Sequence, residues 1–251
     1  MPAEPILSVR NVSKRFGGLL ALDSVSFDVA PGEIYGVIGP NGAGKTTLFS
    51  CLVGALAPTR GEILFRGGRI DGLANHAVVA RGLVRTHQIV RPFRDMSVRE
   101  NVSVGAHFGS GRRRGADAER RVGAILERTG LTPRADTAAS SLTIGELKRL
   151  EIARALATEP QALCLDEVLG GLNPSEILET LVLIRSLRDS GLTILIIEHH
   201  VHAVLGVSDR ILVLNFGQTI AEGPPADVVR HPEVISAYLG GDDAVPLFAE
   251  A

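Results

Sequence analysis

The segment Gly39-Pro-Asn-Gly-Ala-Gly-Lys-Thr-Thr47 has the spacing G-x-x-x-x-G-K-[ST]. Glycines at these intervals let backbone N–H groups converge on phosphate oxygens, and a helix opening directly afterwards adds a dipole that favours anions. In that arrangement Lys45 reaches the β- and γ-phosphates of a nucleoside triphosphate, and the Thr46 hydroxyl ligates the Mg²⁺ that bridges them. Gly39, Pro40, Asn41, Gly42, Ala43, Gly44, Lys45, Thr46 and Thr47 are therefore candidate nucleotide-binding residues. A second chemical feature is Ala162-Leu-Cys-Leu-Asp-Glu167, an apolar run closing on adjacent carboxylates where an α/β sheet places its ligands. Asp166 is expected to hold Mg²⁺ through water, with Glu167 aimed at the attacking water as general base.

Positioning these groups requires a strand, a loop and a helix in that order. Glu33 to Ile38 is a short apolar run that reads as a strand, and Lys45 to Gly54 has helical composition and ends on glycine. Ahead of them, Ile6 to Phe16 and Leu20 to Val29 flank a Gly-Gly turn and read as an antiparallel pair; residues 62–70 read as a hairpin. From Asn75 to Pro160 the pattern is helical, with a capping box at Ser97 and Glu100, a Gly/Arg loop at 109–115 and a helix from Ala116 to Arg128. From Ala162 onward strand and helix alternate: strand 162–166, helix 174–188, strand 192–197, helix 200–207 and strand 210–215. A strand at 218–222 and helical turns between 224 and 239 follow. The expected fold class is α/β, a phosphate-loop core with a parallel sheet, an antiparallel β subdomain and a helical subdomain.

Composition closes off other classes. The 251 residues carry 26 Lys+Arg against 28 Asp+Glu, and this near-neutral balance argues against a general nucleic-acid binder, whose affinity comes from displaced counterions. Cys51 and Cys164 lie in apolar runs and read as reduced core residues. No window has the roughly 18 apolar residues of a membrane span, and Met1 to Pro5 lacks the character of a signal peptide, so a cytoplasmic location is expected. Arg112 to Arg114 read as a solvated turn, and His200 and His202 as surface or packing residues.

With both chemical motifs at this separation, the chain from Ile6 to Gly240 resembles the ATP-binding subunit of ABC transporters. The resemblance implies roles for further residues. Phe16, 29 positions before Lys45, matches the aromatic that stacks on adenine. Gln88 matches the Q-loop glutamine, a Mg²⁺ and water ligand. Leu142-Thr-Ile-Gly-Glu146 resembles the signature segment, making Thr143, Gly145 and Glu146 nucleotide contacts supplied to the opposite protomer of a dimer. A helix N-terminus at Thr143 would form a second anion site, so that ATP is sandwiched between protomers. His199 matches the switch histidine at the γ-phosphate, and Gly171-Leu-Asn-Pro174 the D-loop. Thr143, Ile144 and Glu146 depart from the usual Leu-Ser-Gly-Gly-Gln, Val168 stands where proline is common, and His200 where aspartate is common.

Lys14 to Gly18, Gly82 to Thr86, Arg149 to Arg154, Gly171 to Pro174 and His231 to Gly240 together look like the larger ATPase subunit of branched-chain amino-acid importers. What this resemblance implies is an ATP-hydrolysing motor using ATP and Mg²⁺, peripheral to the cytoplasmic face of the inner membrane. Its partners would be two transmembrane permeases, a second ATPase subunit and, indirectly, a substrate-binding protein, with no nucleic acid. Permease contacts are expected from Ile89 to Met96. The whole chain, 1–251, reads as one ABC ATPase domain: core 1–74 and 161–240, helical subdomain 75–160 with Q-loop and signature, and a loose tail 241–251. Importers of urea, amides or other substrates share these motifs, and a soluble ABC-type ATPase of repair or translation is a different class. Against that class stand the lack of a sustained heptad insertion, the single cassette and the slightly acidic charge.

Overall fold

The computed structural model describes residues 4–86, 92–108 and 115–239. Gln88, Ile89 to Arg91, Arg112 to Arg114 and the tail lie outside the described residues. In chain order the strands are β1 (Leu7–Phe16), β2 (Leu19–Val29), β3 (Ile34–Ile38), β4 (Arg60–Phe65), β5 (Gly68–Arg69), β6 (Leu83–Arg85), β7 (Ala162–Asp166), β8 (Thr193–Ile197), β9 (Arg210–Asn215) and β10 (Gln218–Gly223). The helices are α1 (Lys45–Leu52), α2 (Asn75–Ala80), α3 (Val98–Phe108), α4 (Ala116–Arg128), α5 (Ile144–Ala157), α6 (Pro174–Asp189), α7 (Val201–Val207), α8 (Pro225–Val228) and α9 (Pro232–Leu239).

The strands make two sheets. A four-stranded sheet runs in the order β2-β1-β4-β5, antiparallel throughout. A six-stranded sheet runs β10-β9-β3-β8-β7-β6 and is parallel except for β10. β3, β7 and β8 are buried at every position, which is why they read as unbroken apolar runs rather than alternating ones. The alternation survives as a choice between two cores. Leu163, Leu165, Ile194, Ile196, Ile211 and Val213 face the core shared with the helices, whereas Ala162, Cys164, Leu195, Ile197, Leu212 and Leu214 face α1 and the antiparallel sheet. Both cysteines are free and buried, and burial pushes their thiols up to about 11 and about 12, as expected of inert core residues.

Among the described residues of 75–160, expected to be helical, one segment differs. Leu83–Arg85 is a strand, the edge of the large sheet beside β7. Three residues are too few to show a period, so only the pairing partner reveals the strand. Beyond it, Asn101 fixes the entry into α3 while fully buried. Its Oδ1 accepts from Phe93 N at 2.9 Å, and its Nδ2 donates to the carbonyls of Phe93, Met96 and Ser97 at 3.0, 3.3 and 2.9 Å. Ser97 and Glu100 form the anticipated cap: Ser97 N donates to Glu100 Oε2 at 2.7 Å and Glu100 N donates to Ser97 Oγ at 3.2 Å. Within the expected permease-contact segment, Phe93 is half-exposed, with the Arg154 guanidinium 5.1 Å from its ring centroid.

Candidate functional site

The loop after β3 turns directly into α1. Its first and last motif glycines are required by backbone packing: a Cβ at Gly39 would collide with Leu214 O, and one at Gly44 would lie 2.6 Å from Ala21 O. Gly44 caps α1 at φ 104, with no side-chain cap and no acidic residue in the first turn. A helix start of this kind, with no acidic cap of its own, suits an anion. Lys45 is 6% exposed, and its Nζ donates to the loop's own carbonyls, Gly39 O at 2.6 Å and Pro40 O at 3.0 Å. Thr46, beside it, is exposed.

Across the sheet, β7 delivers Asp166 and Glu167. Glu167 takes φ +52, a left-handed conformation uncommon for a non-glycine residue, held from both sides. Its N–H donates to Ile197 O at 3.0 Å, and its carbonyl accepts from Lys148 Nζ at 2.7 Å. The turn aims the carboxylate at His199, whose Nε2 lies 2.8 Å from Glu167 Oε1. Asp166 is fully buried; Oδ2 is ion-paired with Arg85 Nη2, while Oδ1 has no hydrogen-bond partner among the described residues. Glu198, 2% exposed, accepts from Leu169 N at 2.7 Å and so ties the end of β8 to the segment after Glu167. Burial outweighs this hydrogen bond and the nearby Lys148 charge, and raises the Glu198 carboxyl to about 7.

These elements enclose a cavity of about 510 Å³. Phe16, Asn41, Gly42, Ala43, Gly44, Lys45, Thr46, Thr47, Glu167 and His199 line it, together with Leu19 to Ala21 and Phe216. Gly39, Pro40 and Asp166 are not among its lining residues. Phe216 was not singled out by sequence reading; it is 85% exposed in the β9–β10 turn, at φ +46, facing the same cavity as Phe16. An aromatic preceding a turn glycine was its only signal. Lys148 and Glu198 were equally silent, because neither belongs to a motif.

Thr143, Gly145 and Glu146 come together elsewhere, at the start of α5, and are absent from the lining of this cavity. That helix start is internally capped, unlike that of α1. Glu146 N donates to Thr143 Oγ1 at 3.2 Å, Thr143 N donates to Glu146 Oε2 at 2.9 Å, and Arg134 Nε donates to Glu146 Oε1 at 2.7 Å. Burial alone raises the Glu146 pKa, but the Thr143 N–H and the Arg134 guanidinium outweigh it and hold the carboxyl below its ordinary value. A phosphate approaching α5 would therefore meet a carboxylate already at the helix end. α6 opens similarly, on Asn173 with a Glu176 capping box and Pro174 in its first turn.

The geometry has counterparts among known proteins. The family model described as ABC transporter matches residues 22–170, and the model described as branched-chain amino acid ATP-binding cassette transporter matches residues 218–244. The chain is 45% identical, over 95% of its length and 99% of the relative's, to the high-affinity branched-chain amino acid transport ATP-binding protein LivG of Escherichia coli K12. It is 42% identical over the same shares to the corresponding protein BraF of Pseudomonas aeruginosa. Among solved structures, an ATP-binding cassette of an ABC transporter in its ADP conformation superimposes with a TM-score of 0.87 at 32% identity, covering 95% of this chain and all of that one.

Proposed function

The chain belongs to the ABC transporter family, and from that premise we propose that it is the ATP-hydrolysing motor subunit of an importer that takes up branched-chain amino acids. The observation that carries the hydrolytic part is the single cavity in which the phosphate loop, Glu167 and His199 meet. The substrate class is supported by the similarity to LivG and BraF and by the match of residues 218–244 to a branched-chain amino acid cassette model.

In this reading Phe16 stacks on the base, and the N–H groups from Gly42 to Thr47 cradle the phosphates. Lys45, already bent over the loop, exchanges its carbonyl partners for phosphate oxygens. Glu167 accepts the proton of the attacking water, and His199 orients that carboxylate through Nε2 before nucleotide binds, then exchanges it for a γ-phosphate oxygen as acceptor. The oxygen-only donor set suits Mg²⁺: the Thr46 hydroxyl and Asp166, whose buried Oδ1 lacks a partner among the described residues. Bound there with Gln88, the ion would neutralise charge on the β- and γ-phosphates.

Thr143, Gly145 and Glu146 would complete the site of an opposing subunit, a copy of this chain or a second ATPase. Among the described residues no helix is long and apolar enough to cross a membrane. Similarity to transport ATP-binding proteins supports a peripheral location on the cytoplasmic face, with spans supplied by two permeases and substrate by a binding protein.

The test is reconstitution in vesicles with branched-chain amino-acid permeases as the candidate partners. Vesicles should take up labelled leucine, isoleucine or valine only with ATP, and Lys45→Ala should abolish uptake. ATP-driven uptake of urea or an amide in place of these amino acids would reassign the substrate, and absence of ATPase activity would refute the motor.

A further inference from the structure

Arg85 ends β6 and is not among the residues lining the cavity. Its side chain is 12% exposed, and its two terminal nitrogens go to different elements. Nη2 donates to Asp166 Oδ2 at the end of β7, and Nη1 donates to Ser50 Oγ in α1 at 3.1 Å. Ser50 Oγ in turn donates to Thr46 O, one helical turn earlier, at 2.7 Å. A single guanidinium thus joins the residues proposed to hold Mg²⁺, Asp166 directly and Thr46 through Ser50. One carboxylate oxygen is taken up by the fork, and the other, Oδ1, is buried without a partner among the described residues.

We propose that Arg85 is a positioning residue for the metal: it fixes the Asp166 carboxylate through one oxygen, and the distance between that carboxylate and the Thr46 turn through Ser50. This rests on the reading of Thr46 and Asp166 as Mg²⁺-holding residues. Arginine suits the task because its planar fork holds two acceptors at set directions, whereas a lysine ammonium is a point charge without fixed geometry. The cationic head also opposes an arriving cation, so the two effects carry opposite signs. Loss of positioning raises the Mg²⁺ requirement; loss of mere charge opposition lowers it.

The test uses the full chain as wild type, Arg85→Lys, Arg85→Met and Ser50→Ala. Binding of a fluorescent ATP analogue is titrated in EDTA and across a Mg²⁺ series, with Tm recorded for each protein. Ser50→Ala leaves the buried ion pair intact, so it reports even if Arg85→Met does not fold. The expected result is nucleotide affinity in EDTA within about twofold of wild type, with the Mg²⁺ midpoint raised about tenfold or more in Arg85→Met, on the scale of lost outer-shell partners. Arg85→Lys and Ser50→Ala should show smaller rises in the same direction. An unchanged or lowered midpoint in the folded variants overturns the proposal, as does a lowered Tm with no change in midpoint. Nucleotide binding by wild type that ignores Mg²⁺ overturns the metal reading and this inference with it, whereas a Mg²⁺-dependent wild type with wild-type-like variants overturns the inference alone.

Discussion

His199 Nε2 lies 2.8 Å from Glu167 Oε1, although the two residues come from different strand ends and Glu167 must adopt a left-handed backbone to meet it. In the proposed mechanism this pairing joins the base to the residue that orients it. Glu167→Gln should therefore retain ATP affinity while turnover falls by roughly 10²–10⁴-fold, and an ATP-bound dimer should persist in size-exclusion chromatography. His199→Ala should also lose turnover with little change in nucleotide affinity. Wild-type hydrolysis by Glu167→Gln in a single-turnover assay would remove Glu167 as the base.

Phe16 and Phe216 border the same cavity. If both rings meet the base, Phe16→Ala and Phe216→Ala should each weaken ATP binding by an amount corresponding to about 1–3 kcal/mol, the scale of base stacking. Binding of inorganic tripolyphosphate should be unaffected, because it has no base. Calorimetric titration with both ligands separates these cases; an equal loss for tripolyphosphate would mean that the loop itself had been disturbed.

Glu198 gives a pH dependence of defined sign. Its carboxyl is raised from 4.5 to about 7, so the folded state holds the proton more tightly than the unfolded chain. The stability it contributes is greatest below the unfolded value, declines as pH rises toward about 7 and is constant above that. Glu198→Gln keeps an acceptor for Leu169 N without the charge, and should be more stable than wild type at pH 8 by at most about 3 kcal/mol. Denaturant titrations at pH 5 and pH 8 check this: the difference between the two proteins should grow with pH, and a constant difference would refute it.

Thr143 caps α5, and the role proposed for it at an opposing subunit is separable from that capping. As the α5 cap, its replacement by alanine should cost about 1 kcal/mol, a fall in Tm of about 2–4 °C for a domain of this size. Because it does not line the cavity of its own chain, nucleotide affinity of the isolated monomer should not change. In a Glu167→Gln background the ATP-dependent dimer should weaken. Loss of monomer affinity would contradict the assignment of Thr143 to an opposing subunit.

The phosphate loop, the carboxylate pair and most element boundaries were legible in the chain because each rests on local spacing. The loop glycines, the buried run before Asp166 and the cap at Ser97 need no knowledge of distant residues. Arg85 falls in the Gly82–Thr86 segment of the resemblance, but nothing local to it indicates a role. Pairing of β6 with β7 is what sets it beside Asp166, 81 positions away. Glu146 illustrates the converse: the resemblance to the signature segment implies a nucleotide contact, and only the folded chain shows that its carboxylate also caps its own helix and pairs with Arg134. Periodicity and motif spacing record what a residue does with near neighbours. The partners of Arg85, Lys148, Glu198 and Phe216 are set by the stacking order of β10-β9-β3-β8-β7-β6, which no local pattern encodes. The chemistry was therefore written in the sequence, while the tertiary structure decided which buried charges hold that chemistry in place.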